Sequence, residues 1–288
     1  MNVSRDLSEL SRKLNRASER GFNNPYTSIQ WPERLDPAAW QFAPEFVSLY
    51  GTPAWDTLDE AARRRLAFHE ACNFFSLNIH GEQELIAGLA RRTYAQDERE
   101  LTAYLHHFLD EENKHMLWFG EYCTRYLGRI YPDRKLAFPR EYAAGEEDLL
   151  FFAKVMVFEF IVDAYNLSMG RDERLDPLAR QIHWQHHVDE ARHLAFGASM
   201  VSALKDKYFA AWPEEKQREV RAYLHAYTEA TWREYYNPDV YRDAGIADPY
   251  GTLEAAWQHP ATRAFRVRVG ERLDATLAEL GLNAPEAA

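Results

Sequence analysis

Four long segments of this chain place apolar residues at alternating steps of three and four, which is the pattern of a helix with one buried face. Over about 57–93 the stripe runs through Phe75, Ile79, Ile86 and Leu89, and over about 97–128 through Leu101, Leu105, Phe108 and Phe119. Over about 145–169 it runs through Phe152, Met156 and Val162, and over about 176–206 through Ile182 and Gly197. Two further helices are predicted at about 214–235 and 252–281, joined by the loop NPDVYRDAGIADPYG. Pro132 and Pro139 mark a loop between the second and third helices, and Gly170 with RDERLDP marks a turn between the third and fourth. Pro25, Pro32, Pro37, Pro44 and Pro53 punctuate the first fifty-odd residues. That density predicts an extended, irregular arm without long helices, anchored by Trp31 and Trp40. No segment is rich in strand formers. The expectation is an all-α chain with four long helices in two hairpins: an arm over 1–56 packed on a bundle over 57–288, as one domain.

The stripes are interrupted by ionisable residues. Glu82 falls in the first, Glu112 and His115 in the second, Glu159 in the third, and His186, Glu190 and His193 in the fourth. Glu112 and His115 are three apart, and so are Glu190 and His193, so each pair lies on one helix face a turn apart. One E-x-x-H is weak evidence. The frame around it is not, because Glu82 precedes Glu112 by 30 residues and Glu159 precedes Glu190 by 31. A helical hairpin brings such positions level. The halves repeat with an offset of 78 for the motif (112 to 190, 115 to 193) and 77 for the preceding glutamate (82 to 159). Each half therefore offers Glu plus Glu-x-x-His, the ligand set of ferritin-like di-iron bundles.

Each residue also has a structural reading. A lone histidine such as His186 is more often a satisfied core residue than a ligand. Glu84 competes with Glu82, but shares its face with His80, Gly81 and Gly88, whereas Glu82 lies in the apolar stripe. Glu111 and Asp189 are either surface acids or groups that hold a histidine from outside. His69, His80, His106, His107, His183 and His187 lack a matching frame. For the set as a whole the structural reading fails. Four carboxylates and three imidazoles facing one apolar core are costly without cations, and this mixture suits iron, with manganese second, better than a structural zinc. His186 stands apart from the repeat, because its counterpart in the first half is Phe108.

Composition narrows the partners. A net charge of −11 argues against nucleic acid and anionic membrane surfaces. Two cysteines, Cys72 and Cys123, form no disulfide framework and fit a reducing cytoplasm. The polar N-terminus lacks the apolar core of a signal peptide. The apolar run from Leu149 to Met169 is interrupted by Lys154, Glu159 and Asp163, so it is expected inside a bundle and not across a membrane.

His186, Glu190 and His193, read as His-x-x-x-Glu-x-x-His, resemble the p-aminobenzoate N-oxygenase family. The segment SLYGTPAWDTL and the run from Gly81-Glu82 to Arg92-Thr93-Tyr94 are similar to it as well, and the resemblance covers about 40–205. The chain departs from the family's Asp-Glu-x-x-His in having Glu111 before Glu112. The resemblance implies that Glu112 and Glu190 bridge two irons, that Glu82 and His115 complete one, and that Glu159, His186 and His193 complete the other. It implies O2 as co-substrate and stepwise oxidation of an amine nitrogen to hydroxylamine, nitroso and nitro products, in specialised-metabolite biosynthesis. It also implies a homodimer, an external electron donor, and a small amine substrate that is free or tethered to a carrier protein. No separate acid or base is assigned. The same ligand set would serve C–H hydroxylation or desaturation. A non-catalytic iron-binding protein would not need His186, nor the aromatic arm and the loop from Asn237 to Gly251 as a pocket wall.

Overall fold

The computed structural model describes residues 5–95, 98–134 and 140–283; Pro139 lies outside the described residues. The four long helices are α3 (Glu60–Arg92), α4 (Arg99–Tyr122), α5 (Glu146–Gly170) and α6 (Pro177–Tyr208). They follow α1 (Arg5–Gly21) and the single turn α2 (Pro53–Asp56). Beyond them come α7 (Glu214–Glu234), α8 (Pro238–Asp243), α9 (Pro249–Gln258) and α10 (Pro260–Glu279). α3 packs along α4 and α5 along α6, giving two hairpins laid against each other. Among the described residues no β-strand forms, and one parallel backbone bridge joins Trp40 to Leu175.

Local chemistry sets the helix limits. The Asp59 side chain accepts from the Ala62 amide to start α3, and Arg91 and Arg92 sit in its last turn, where the helix dipole favours cations. Asp176 caps α6 by accepting from the Leu178 amide, with Pro177 at the first helical position. α4 ends in a π-helical turn, Cys123–Leu127, closed by Gly128 at φ +80°, where the missing Cβ removes the steric cost. α3 and α5 cross closely because α3 carries glycines seven apart. A Cβ on Gly88 would lie 2.0 Å from the Phe151 ring, and one on Gly81 would lie 2.7 Å from Phe158.

The N-terminal region differs from the expected extended arm. Its first proline is Pro25, so nothing interrupts residues 5–21, and Leu7, Ser11, Leu14 and Ser18 present one buried face. The resulting α1 packs on α4 and α6, and Asn15 donates to the Glu100 carbonyl at 3.0 Å. The proline-rich remainder is irregular. Trp40 is pinned by backbone bonds to Arg174 and Asp176 and lies under Arg64, while Trp31 lies under Arg125. The helix expected over 252–281 is two helices, because Pro260 has no N–H to continue α9 and instead opens α10. The loop from Asn237 to Gly251 holds a helix of its own, α8.

Candidate metal centre

The apolar stripes bring all seven sequence-predicted ligand residues into one cluster at the centre of the bundle. Glu82 comes from α3, Glu112 and His115 from α4, Glu159 from α5, and His186, Glu190 and His193 from α6; none is more than 2% exposed. Glu84 points to solvent. Geometry therefore selects Glu82 over Glu84 as the α3 carboxylate in the cluster.

Glu112 and Glu190 lie between two histidines. Glu112 reaches His115 Nδ1 at 3.5 Å through one oxygen and His193 Nδ1 at 2.8 Å through the other. Glu190 does the same, with Oε1 3.6 Å from His115 and Oε2 3.1 Å from His193. Glu82 lies 3.9 Å from His115 Nδ1. His186 Nε2 is 2.8 Å from Glu190 and 3.7 Å from Glu82. Three sets of donors are close enough to share an ion: Glu82, His115 and His186; Glu112, His115 and Glu190; Glu159, His186 and Glu190. His186 thus belongs both with Glu82 and with Glu159, and is not confined to the His193 end.

The donor chemistry fits a cation. Both oxygens of Glu82, Glu112 and Glu159, Oε1 of Glu190, Nδ1 of His115 and Nε2 of His186 are buried without a hydrogen-bond partner. Buried carboxylates left this way cost several kcal/mol per ion unless protonated or metal-bound. Burial, reinforced by Glu112 and Glu190, pushes the Glu82 carboxyl well above its ordinary range, and burial with Glu190 does the same to Glu159. Burial lowers His193, but Glu190 and Glu112 outweigh it and hold the ring's pKa well above normal. Protons hold this cluster together where cations could, so metal uptake would release them.

The residues around the cluster form an exchange between halves. Asp189 of α6 accepts from His115 Nε2 of α4 at 3.1 Å, while Glu111 of α4 accepts from His193 Nε2 of α6 at 2.8 Å. Each acid therefore holds the histidine of the other half. Lys114 pairs with Asp189 at 2.5 Å, and Arg192 bridges Glu111 and Asp189. These partners hold both acids ionised: the pKa of Asp189 is far below normal despite burial, and that of Glu111 is lowered. Both acids act on histidines and are not surface groups. Lys114 and Arg192 went unnoticed in the sequence, yet they too are 78 apart and occupy the same place in the two motifs.

Asn166, also unnoticed, lies between His186 and His183. Burial lowers the His183 pKa to about 3, so this ring is neutral. Phe108 stacks on His193 with centroids 3.9 Å apart, and Phe119 meets His186 edge-on at 5.0 Å. Tyr104 and Tyr235 bury hydroxyls without partners. A pocket of about 220 Å³ opens beyond Leu77, between Arg134, Arg233, Tyr236 and Asn237. Of the loop expected to wall a pocket, Asn237 takes part.

A four-helix core that turns four carboxylates and three imidazoles onto one buried point defines a ferritin-like di-metal carboxylate protein. The chain belongs to the family described as p-aminobenzoate N-oxygenase AurF, whose model matches residues 4–281. Among similar solved structures is a mutant R2-like ligand-binding oxidase with aerobically reconstituted Mn/Fe cofactor. It is 14% identical at a TM-score of 0.50, over 95% of this chain and 93% of that one. Another mutant, with anaerobically reconstituted Mn/Fe cofactor, is 13% identical at a TM-score of 0.51, over the same shares. These likenesses show the fold. No curated protein matches the sequence. Family and site together make this chain a di-metal oxygenase. No helix among the described residues is long and apolar enough to cross a membrane.

Proposed function

We propose that this chain binds two iron ions and uses O2 to oxygenate the nitrogen of a small amine, an arylamine or one derived from an amino acid, giving hydroxylamine, nitroso or nitro products. The observation that carries this reading is His186, a third buried imidazole among four carboxylates, where the other half of the repeat has Phe108. Glu112 and Glu190, each lying between His115 and His193, would be shared by the two ions. Glu82 and His115 would complete one ion, and Glu159, His186 and His193 the other, with His186 also within reach of Glu82 and His115. The metal pair would supply the redox chemistry that O2 activation needs, with manganese the runner-up to iron.

The protein's own part is positioning and exclusion of water. Asp189 and Glu111 fix the rings of His115 and His193 by accepting from the nitrogen that faces away from the carboxylates. Phe108 and Phe119, both fully buried, cover the rings of His193 and His186 and help keep water from the cluster. The proposal includes an external electron donor, a substrate that is free or carrier-tethered, a homodimer, a cytoplasmic setting and a role in specialised-metabolite biosynthesis.

The test begins with anaerobic ferrous loading, which is expected to give two irons per chain. A folded sample that holds one or none ends the reading. The reduced protein is then mixed with 18O2 and a panel of amines, and the products are weighed. Label on nitrogen supports N-oxygenation. Label on carbon alone, or desaturation without label, replaces it with the C–H chemistry open to the same ligand set.

A further inference from the structure

A chain of buried polar side chains runs from the metal centre into the aromatic core. His186 Nδ1 lies 2.8 Å from Asn166 Nδ2, and Asn166 Oδ1 lies 2.8 Å from His183 Nδ1. All three residues are fully buried. His183 Nε2 has no hydrogen-bond partner. Its ring is enclosed by Phe42, Phe74 and Phe75, with centroids 6.3, 5.1 and 5.2 Å away. The repeat makes this chain conspicuous. With the offsets of 78 on α6 and 77 on α5, the counterparts of His186, His183 and Asn166 are Phe108, Leu105 and Leu89. Three buried apolar residues in one half are three connected polar residues in the other.

The amide of Asn166 governs which nitrogen of His186 carries the proton. With its NH2 turned to His186, Nδ1 must accept, so the ring's proton sits on Nε2, the nitrogen that faces Glu190 and Glu82. In that form Nε2 has no lone pair for a metal. Half a turn about the last side-chain bond exchanges oxygen and nitrogen within the same volume. The oxygen then accepts from His186 Nδ1–H and leaves the Nε2 lone pair free. The NH2 group now faces His183 Nδ1, which must accept. The His183 proton therefore moves to Nε2, among ring faces that accept N–H weakly. Each imidazole keeps one proton throughout, and none is gained or lost.

We propose that Asn166 is a positioning residue that sets His186 as a metal ligand, with the tautomer of His183 reporting and reinforcing its orientation. The inference rests on the reading of the cluster as a di-metal site.

Zn(II), being diamagnetic, is the probe. Protein labelled with 15N-histidine is titrated with Zn(II), and the ring tautomers are read from two-bond nitrogen–proton correlations. The expected result is that His183 changes from Nδ1–H to Nε2–H as His186 becomes a ligand. If His183 keeps one tautomer while two Zn(II) bind, the inference is overturned and the di-metal reading stands. If no Zn(II), Mn(II) or Fe(II) binds, both fall. Asn166→Leu is expected to weaken the ion held by His186 by about 10–100-fold, the usual effect of removing a group that orients a ligand. Asn166→Asp, whose oxygens accept from both rings, is expected to recover most of that affinity. Equal affinities in wild type and both variants would overturn the proposal. The wild-type titration decides it even if Asn166→Leu does not fold.

Discussion

The α3/α4 and α5/α6 hairpins supply the same parts to the centre, yet they treat one slot differently. Beside His193 the slot holds Phe108, stacked at 3.9 Å between centroids. Beside His115 it holds His186, at 4.3 Å. The positions correspond through the repeat, as do Leu89 with Asn166 and Leu105 with His183. One half thus completes its face with hydrocarbon and the other with a hydrogen-bonded chain. The shared frame of Glu plus Glu-x-x-His creates a place for two cations. The difference between the halves gives the ions unequal surroundings. The halves are not independent either, because Asp189 orients His115 and Glu111 orients His193.

The largest expected effect comes from the carboxylates that sit between the histidines. Glu112→Ala and Glu190→Ala should each abolish retention of both ions, a loss beyond the roughly 100-fold limit typical of outer partners. Dialysis followed by metal analysis checks this. One variant keeping an ion that the other loses would show that the two bridges are unequal. Next is His186→Phe, which makes the halves alike. It is expected to keep the helical fold and to lower O2-dependent amine oxidation about 100-fold. Unchanged single-turnover rates would return His186 to the core.

The cross-braces come third. Glu111→Gln and Asp189→Asn should each weaken metal binding about 10–100-fold, as measured by competition with a chelator. A large effect from one and none from the other would break the symmetry of the brace. The smallest effect lies away from the centre, at Glu70 of α3, whose counterpart Glu147 on α5 is exposed. Burial raises the Glu70 pKa to about 8, even though Ser48 donates to it. The folded state therefore holds a proton that the unfolded chain releases above its ordinary pKa of 4.5. This contribution to stability is complete below pH 4.5 and declines, by about 1.4 kcal/mol per pH unit, until the folded group ionises near pH 8. Denaturation of Glu70→Gln between pH 5 and 8 should show a shallower decline than wild type (about one proton less in slope). Parallel curves would mean that Glu70 does not titrate in this range.

Much of the bundle was legible because its signals are local. Steps of three and four, and the proline and glycine breaks between helices, each act within a few residues. The caps at Asp59 and Asp176 are equally local but went unnoticed. The first helix was obscured by averaging prolines over a region whose first 24 residues contain none. The break at Pro260 was a local signal passed over. Within the site, the seven cluster residues stood out because each is a polar interruption of an apolar stripe. Lys114 and Arg192 had the same repeat signal and lacked only a reason to be noticed. Asn166 also interrupts the α5 stripe, where the first half has Leu89, but an amide carries no charge and belongs to no motif, so it did not stand out.

By itself, the sequence determined that four helices would turn Glu112, His115, Glu159, His186, Glu190 and His193 inward, and favoured Glu82 over Glu84 beside them, because helical periodicity fixes the face on which a residue lies. It also determined that the halves would differ at His186. Only the tertiary structure decided which groups meet across helices: that Asp189 holds His115 and Glu111 holds His193, that His186 reaches both Glu82 and Glu159, and that Asn166 joins His186 to His183. Those contacts depend on the register between hairpins. Register is set by packing such as that of Gly81 and Gly88 against Phe158 and Phe151, and no periodicity within one helix encodes it.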